Sequence, residues 1–253
     1  MGEHVAPATP AKKKRSNIFW NIVGVVGELL ITFAIIVGLF SVWQLYWTTY
    51  QVSGQVSQTI ASYEEEHQPA KRTQGEVRTD DPPAFDREVG DGEVYGIVHV
   101  PTWDWMKIPL AEGTTSYVLD QGWAGHYDMT TQPGGVGNFS VAGHRRTYGN
   151  NFRWIDRLTQ GDKVVVEVDD HYLVYSMVSS EIIDATDPTQ MRVVAPVIDD
   201  VSWSETPTER WMTMTTCHPE YGNWQRYIVH LKFESWTPKD TGVPAELVDE
   251  PTN

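Results

Sequence analysis

Residues Met214–Phe233, MTTCHPEYGNWQRYIVHLKF, predict two strands joined by a short loop. The run before Cys217 is rich in threonine and methionine, and the run after Arg226 alternates polar and apolar side chains, as a half-buried strand does. Pro219 and Gly222 mark a turn between the runs. Because a short turn brings the end of one strand next to the start of the other, we expect Cys217 and Arg226 to lie close together.

The alternation also assigns the faces of the two strands. Successive side chains of a strand point to opposite faces, so Cys217 shares a face with Thr215 while Thr216 lies on the other. In the second strand one face is apolar throughout and is predicted to face the core; it carries Tyr227, Val229, Leu231 and Phe233. Arg226 therefore belongs to the face away from the core.

Cys217 is the only cysteine among 253 residues. A single cysteine cannot form an intramolecular disulfide, so it is an inert core residue, an intermolecular bridge or a nucleophile. A nearby guanidinium favours the thiolate and can stabilise an oxyanion, so the predicted proximity of Arg226 favours the nucleophile. Cysteine catalysis also needs a proton carrier, which is usually a histidine.

Among the eight histidines, His144 is the best candidate for this proton carrier. It ends the alternating run NFSVAGH at a strand-to-loop exit, where a side chain can face a groove. His218 is adjacent to Cys217 and points the opposite way in an extended chain. His126, in GWAGHY, is a lesser candidate. Three further histidines lie within strand patterns and are expected to be structural: His99, His171 and His230.

From about Val94 the chain consists of short β-rich runs separated by Gly, Pro and Asp, without an internal repeat. So many short strands without a βαβ alternation predict a closed or nearly closed antiparallel barrel. Short helical stretches are predicted near 114–120, 151–158 and 188–194. The predicted strands are 94–100, 105–110, 138–144, a hairpin of 163–168 with 171–183, 210–217 and 225–236.

The N-terminal part predicts a single membrane span. A polar tail, residues 1–17, carries the basic cluster Lys12–Arg15. Within residues 18–47, the run from Leu29 to Trp47 has no charged side chain and is about the ~20 residues that a helix needs to cross a bilayer. The positive-inside rule predicts a cytoplasmic N-terminus and an extracytoplasmic remainder. A cleaved signal peptide is the competing interpretation, although its apolar region usually has only ~7–15 residues.

The remaining domain boundaries follow from composition. Residues 48–90 are polar and acidic and predict a stalk, residues 91–238 hold the barrel, and residues 239–253 predict a flexible C-terminal tail. The net charge of −15 argues against nucleic acid and against a generally anionic surface as a partner.

Three segments together resemble the signature segments of sortases, the cell-wall transpeptidases of Gram-positive bacteria. They are VAGHRRTYGNNF around His144, TMTTCHP around Cys217 and WQRYIVH around Arg226. The resemblance covers about residues 90–236, and the CHP triplet, GWAGHY and GELLIT look most like class E, the actinobacterial housekeeping type. It implies a mainly β fold, a closed eight-stranded sortase-type β-barrel with short helices after one N-terminal transmembrane helix.

The resemblance also implies the roles of the site residues. Cys217 would attack the Thr–Gly carbonyl of an LAxTG- or LPxTG-type sorting signal and form a thioacyl enzyme. His144 would act as general acid and then as general base, and Arg226 would hold the oxyanion.

Substrate contacts and partners follow from the same resemblance. Thr215 and Thr216 would line the signal-peptide groove, and Tyr127 would contact the second residue of an LAxTG signal. The implied partners are secreted proteins with a C-terminal sorting signal, an amine of a peptidoglycan precursor (lipid II) or a pilin lysine, and the membrane. No cofactor is implied.

Several alternatives remain open. A papain-like or NlpC-like hydrolase would carry its cysteine before its histidine and on a helix, the reverse of the order here. A pilin-polymerising sortase often has an N-terminal lid, which the stretch Asp81–Asp86 vaguely resembles. A non-catalytic membrane-tethered barrel is the third alternative, although an exposed extracellular thiol is a liability.

Metal binding is a separate question, because some sortases are assisted by calcium. The acidic candidates here are Glu167, Asp169, Asp170 and Glu181. Adjacent aspartates at a hairpin turn are usually turn residues, so we predict no metal requirement.

Overall fold

The computed structural model describes residues 18–251, and these residues form two units, one up to residue 43 and one from residue 44. The basic tail predicted for residues 1–17 lies outside the described residues. The first helix, α1, runs over Ile18–Glu66. Within the described part of the chain it is the one helix long and apolar enough to cross a membrane, with a mean hydropathy of 2.5 over its most apolar stretch. The helix continues past Trp47 without a break, further than the predicted end of the span.

Eight strands close into a barrel, which confirms the predicted fold class. The order around the barrel is β1-β2-β3-β4-β7-β8-β6-β5. Seven strands lie within two residues of their predicted bounds, whereas the short, glycine-containing β3 was missed. The strands are β1 Val94–Val100, β2 Met106–Glu112, β3 Ala124–His126, β4 Gly137–Ala142, β5 Lys163–Glu167, β6 His171–Asp184, β7 Arg210–His218 and β8 Gln225–Pro238.

The barrel is not antiparallel throughout, contrary to the prediction. β2 pairs with β3 in parallel, and β4 pairs with β7 in parallel. Parallel neighbours need a crossover connection. A short helix, α2 (Ser116–Leu119), lies in the first connection, and the β5–β6 hairpin lies in the second. Alternation of side chains is the same for both strand directions, so the sequence pattern did not distinguish them.

The core fills the inside of the barrel and confirms the predicted inner face of β8. Val229 and Leu231 are fully buried, and Tyr227 and Phe233 pack against the same cluster. From β7, Met212 and Met214 point into this core. Truncating a buried leucine to alanine in such a core costs about 2–5 kcal/mol of stability.

The described part of the C-terminal segment, for which the sequence predicts a flexible tail, packs against the barrel. Val243 and Leu247 are buried in a cluster with Val165, Tyr172 and Val174 of the β5–β6 hairpin. Two apolar residues in an otherwise polar segment are enough to cover this outer patch of the hairpin.

The strap, residues 67–93, likewise lies along the barrel, where the sequence predicted a free stalk. Arg78 exchanges two backbone hydrogen bonds with Trp236, of 2.9 and 2.8 Å, and its guanidinium lies 5.0 Å from the centre of the Trp236 ring. Asp81 forms an ion pair with Arg210 at 3.0 Å. These contacts fasten the strap to the ends of β7 and β8 that are remote from Cys217.

A buried polar network connects the C-terminal segment to the barrel. His99 of β1 is 2% exposed and lies 2.8 Å from both Glu167 and Glu250. Lys239 pairs with Glu167 at 2.7 Å, and Lys107 pairs with Glu250 at 3.1 Å. Burial alone lowers the pKa of His99, but the hydrogen bonds and charges of the two glutamates outweigh it and raise the pKa from 6.5 to about 9.

This network predicts a pH dependence of stability. The folded chain keeps the His99 proton that the unfolded chain loses near pH 6.5, so the stabilisation is fully present below pH 6.5 and is lost as the pH rises through about 9. We expect the free energy of unfolding of the full chain, measured in detergent with urea, to fall over this range. His99→Gln removes the cation between two buried carboxylates and leaves each of them with a single lysine, so it should cost roughly 3 kcal/mol. An equally steep fall in His99→Gln would contradict the assignment.

Candidate active site

Three neighbouring strands bring His144, Cys217 and Arg226 to one end of the barrel. Cys217 lies directly opposite Arg226 in the antiparallel pair β7–β8, as the short loop predicts. On the other side of β7, the Gly143 N–H donates to the Thr215 carbonyl at 3.1 Å. Continuing this parallel register places His144 level with Cys217. The thiol is free and partly exposed.

Asp120 is a site residue that the sequence analysis missed. Its Oδ1 lies 2.7 Å from Nε2 of His144, and the two side chains are 34% and 24% exposed. A carboxylate at this distance orients the imidazole and accepts a hydrogen bond from Nε2–H, which leaves Nδ1 to face a substrate. Asp120 follows α2, whose position was predicted, but nothing in the sequence connects the end of that helix with His144.

Arg226 is held by backbone groups rather than by an acid. One guanidinium nitrogen donates to the carbonyls of Asn223 and Gln225 at 2.8 and 2.9 Å. Among the described residues no carboxylate forms an ion pair with Arg226, so its positive charge is not neutralised by a partner. Such a charge beside a nucleophile suits the stabilisation of a developing oxyanion.

Tyr127 and Thr215 meet beside this pair. The Tyr127 hydroxyl and Thr215 Oγ1 lie 2.9 Å apart, and Tyr127 lies within electrostatic range of both Arg226 and Cys217. Burial raises the pKa of Tyr127, so its hydroxyl stays protonated and can donate a hydrogen bond at neutral pH. The groove contacts expected for Tyr127 and Thr215 stay a prediction.

Thr216 differs from the expectation, because it lies on the opposite face of β7 from Cys217. It is 3% exposed, and its hydroxyl donates to the Gly143 carbonyl at 2.6 Å. A Cβ at position 143 would come within 2.8 Å of the Phe152 ring, so only glycine fits there. Thr216 therefore fixes the end of β4 that presents His144, instead of lining a groove.

An apolar wall borders the site on the outer face of the barrel. Ile228 of β8 packs with Ile183, Val193 and Val194, and Tyr127 and Trp203 pack against the same cluster. The 3₁₀ turn Pro188–Val194 is tied to β4 by Asn138, whose amide donates to the carbonyls of Val193 and Ala195 at 3.0 and 3.1 Å. A rigid apolar wall next to a nucleophile can hold an extended peptide.

The other candidate histidines are engaged elsewhere. His126 is fully buried and lies 2.9 Å from Glu112 and 3.0 Å from the Thr131 carbonyl. His218 accepts a hydrogen bond from Arg145 at 2.8 Å. Burial and the Arg145 charge lower the pKa of His218, so it is neutral at physiological pH.

The acidic residues considered for calcium have basic side chains of the protein as partners. Glu167 pairs with Lys239, Asp169 with Arg87, Asp170 with His171, and Glu181 with Arg192. Within residues 18–251 no group of three or more His, Cys, Asp or Glu side chains is placed to hold a metal ion. The absence of a metal requirement stays a prediction.

Comparison with known proteins identifies the family. A family model for the sortase domain matches residues 98–234. The chain belongs to the sortase family. Sortase SrtE1 of Streptomyces coelicolor is 35% identical over 229 residues, which cover 88% of this chain and 60% of the relative. Sortase SrtE2 of the same organism is 30% identical, with 86% of this chain and 84% of the relative covered.

Solved sortase structures share the fold. A SrtA sortase from Actinomyces oris is 43% identical with a TM-score of 0.64, covering 70% of this chain and all of that one. Sortase E1 from Streptomyces coelicolor, solved with a tripeptide in its active site, is 37% identical with a TM-score of 0.55, covering 63% of this chain and 99% of that one. The sortase E relatives support a class E-like member of the family.

The Asp120–His144 pair predicts a positioning effect. Asp120→Asn keeps a hydrogen-bonding group but removes the charge that stabilises the imidazolium, so kcat for peptide transfer should fall about tenfold or more with a smaller change in KM. Asp120→Glu should retain part of the rate, and Asp240→Asn, an exposed carboxylate of the C-terminal segment, should retain all of it. If Asp120→Asn kept the wild-type kcat, the positioning role of Asp120 would be refuted.

Proposed function

We propose that the protein is a membrane-anchored cysteine transpeptidase. It cleaves an LAxTG- or LPxTG-type sorting signal between Thr and Gly and transfers the new carboxyl end of the secreted protein to an amine of a cell-wall precursor. The observation that carries this proposal is the direct pairing of Cys217 with Arg226, with His144 two residues beyond the end of the neighbouring strand β4.

The first half of the reaction follows from these positions. The Cys217 thiolate attacks the threonine carbonyl carbon, and the Arg226 guanidinium stabilises the negative charge on the carbonyl oxygen. The Thr–Gly C–N bond then breaks, and the His144 imidazolium gives its proton to the leaving glycine nitrogen. The product is a thioester on Cys217 and a neutral His144 oriented by Asp120.

In the second half of the reaction, His144 acts as a base instead of an acid, and Cys217 becomes the leaving group. An acceptor amine attacks the thioester carbonyl, His144 takes a proton from the attacking nitrogen, and the Cys217 thiolate leaves. A new amide forms as the thioester is consumed, so no external energy source is required. The apolar wall and Tyr127 hold the signal peptide in an extended conformation through both steps.

The transfer takes place at the outer surface of the membrane. The apolar part of α1 spans the bilayer once, and the basic cluster in residues 1–17 keeps the N-terminus cytoplasmic. The barrel then lies outside the cytoplasm, where secreted proteins with sorting signals and lipid-carried cell-wall precursors are both present.

The chemistry predicts distinct effects for two residues. In the full chain in detergent, incubated with LAxTG or LPxTG peptides and a glycine-peptide amine, mass spectrometry should detect a thioester on Cys217 and the transfer product. Cys217→Ala should abolish both. Arg226→Ala should lower kcat/KM by roughly 10²-fold or more, because an oxyanion donor contributes on that scale.

Arg226→Lys is the control for charge, because it keeps the positive charge without the planar guanidinium. Its kcat/KM should lie between those of the wild type and Arg226→Ala. Wild-type turnover in Arg226→Ala would refute the oxyanion role. A folded wild-type protein that forms no adduct with either peptide would refute the proposed function.

The contacts of the strap predict that it does not act as a lid over Cys217. β7 rises ~3.3 Å per residue, which separates Arg210, the partner of Asp81, from Cys217 by roughly 23 Å. Asp81→Asn should therefore leave peptide turnover within about twofold of wild type. A large rise in turnover would favour a lid and the pilin-polymerising alternative.

A further inference from the structure

A cleft of about 510 Å³ lies between the part of α1 beyond residue 44 and the loops around the catalytic residues. α1 contributes aromatic and hydroxyl side chains, and the loop after His144 contributes two arginines. The residues that line the cleft include Tyr46, Tyr50, Arg146, Asn150, Arg153 and Tyr221.

The cleft has a surplus of hydrogen-bond donors and positive charge. Arg146 pairs with Glu220 and lies over the Tyr221 ring at 4.8 Å, whereas Arg153 has no carboxylate partner among residues 18–251. The Nε atoms of both arginines are buried without a hydrogen-bond partner in the described structure, and Oδ1 of Asn150 is a buried acceptor without one. Donors that lack a partner favour a bound anion at the adjacent guanidinium groups.

This cluster contrasts with the rest of the molecule. The chain has a net charge of −15, yet the loop from His144 to Leu158 holds four arginines. Arg145 pairs with Asp156, and Arg157 and Arg153 lie over the Trp154 ring at 4.9 and 5.1 Å. Of the four arginines, Arg146 and Arg153 line the cleft. The loop therefore concentrates positive charge at the cleft of an otherwise acidic chain.

The position of the cleft along the chain points to a lipid. Tyr46 and Tyr50 lie at the end of the apolar run of α1, where aromatic side chains mark the membrane–water interface. Phosphate groups of lipids occupy the same level of a bilayer. Arg146 is two residues from His144, and Tyr221 belongs to the loop that follows Cys217, so a lipid held here lies beside the catalytic groups.

We infer that this cleft binds the phosphate group of a membrane lipid, with Arg146 and Arg153 as its ligands and the tyrosines beside the lipid's first carbons. The inference rests on the membrane anchoring proposed above. Two lipids carry this chemistry at the membrane surface, an anionic phospholipid and the polyprenyl pyrophosphate that carries a cell-wall acceptor amine. The second would deliver the amine directly to the thioester.

The test measures binding to the full chain in detergent by calorimetry. The probes are a short-chain phosphatidylglycerol and farnesyl pyrophosphate. Wild type should bind at least one probe, and Arg153→Gln and Arg146→Gln should each weaken that binding about tenfold, the scale of one charge-assisted hydrogen bond. Arg157→Gln, from the same loop but outside the cleft, is the matched control and should bind as wild type does.

The pattern of binding identifies the source of the phosphate. Arginine-dependent binding of phosphatidylglycerol alone assigns the cleft to membrane headgroups, and binding of farnesyl pyrophosphate alone assigns it to the acceptor carrier. Binding of neither probe by wild type, or unchanged binding by Arg153→Gln with a wild-type unfolding midpoint, would overturn the inference. Transfer of a sorting peptide to a soluble glycine peptide needs no lipid, so its failure would reject the proposed function without affecting this result.

Discussion

The register of β7 against its two neighbours is the constraint on which the site depends. A shift of one residue would turn Cys217 toward the core and bring Thr216 to the outer face. A buried polar chain opposes such a shift. The Thr213 hydroxyl donates to Asn138 at 2.8 Å and lies 3.0 Å from Nδ1 of His230, joining residues of β4, β7 and β8. Because these groups are all buried, any shift in strand register would leave them without hydrogen-bond partners. The same register fixes the alignment of the catalytic residues.

A histidine next to a carboxylate serves two different purposes in the molecule, stabilising the fold at His99 and suiting catalysis at His144. His99 lies between carboxylates and is almost inaccessible to water, so its proton is held up to high pH and stabilises the fold. His144 also lies against a carboxylate, but both partners are partly exposed. Exposure weakens the attraction between the charges and lets the imidazole exchange its proton with a substrate. Burial therefore separates a structural histidine from one suited to catalysis.

Much of the fold could be predicted from the sequence, because strands separated by Gly, Pro and Asp leave strong local signals. The proximity of Cys217 and Arg226 was equally predictable, since one short turn determines it. The parallel pairing of β4 with β7 was not, and neither was Asp120, because both depend on contacts between distant segments. The packed C-terminal segment was missed for a related reason: two apolar residues and one buried glutamate carry little weight in a polar stretch.

The buried contact between His99 and Glu250 has a consequence for the order in which the chain can fold. The two residues are 151 positions apart, and a chain delivered from its N-terminus presents His99 long before its acidic partner. Until residue 250 arrives, the imidazole has only Glu167 beside it, and Lys107 has only Glu64. A segment made long after β1 thus completes the polar contacts of that strand, so a nascent chain interrupted before residue 250 holds an incompletely neutralised interior.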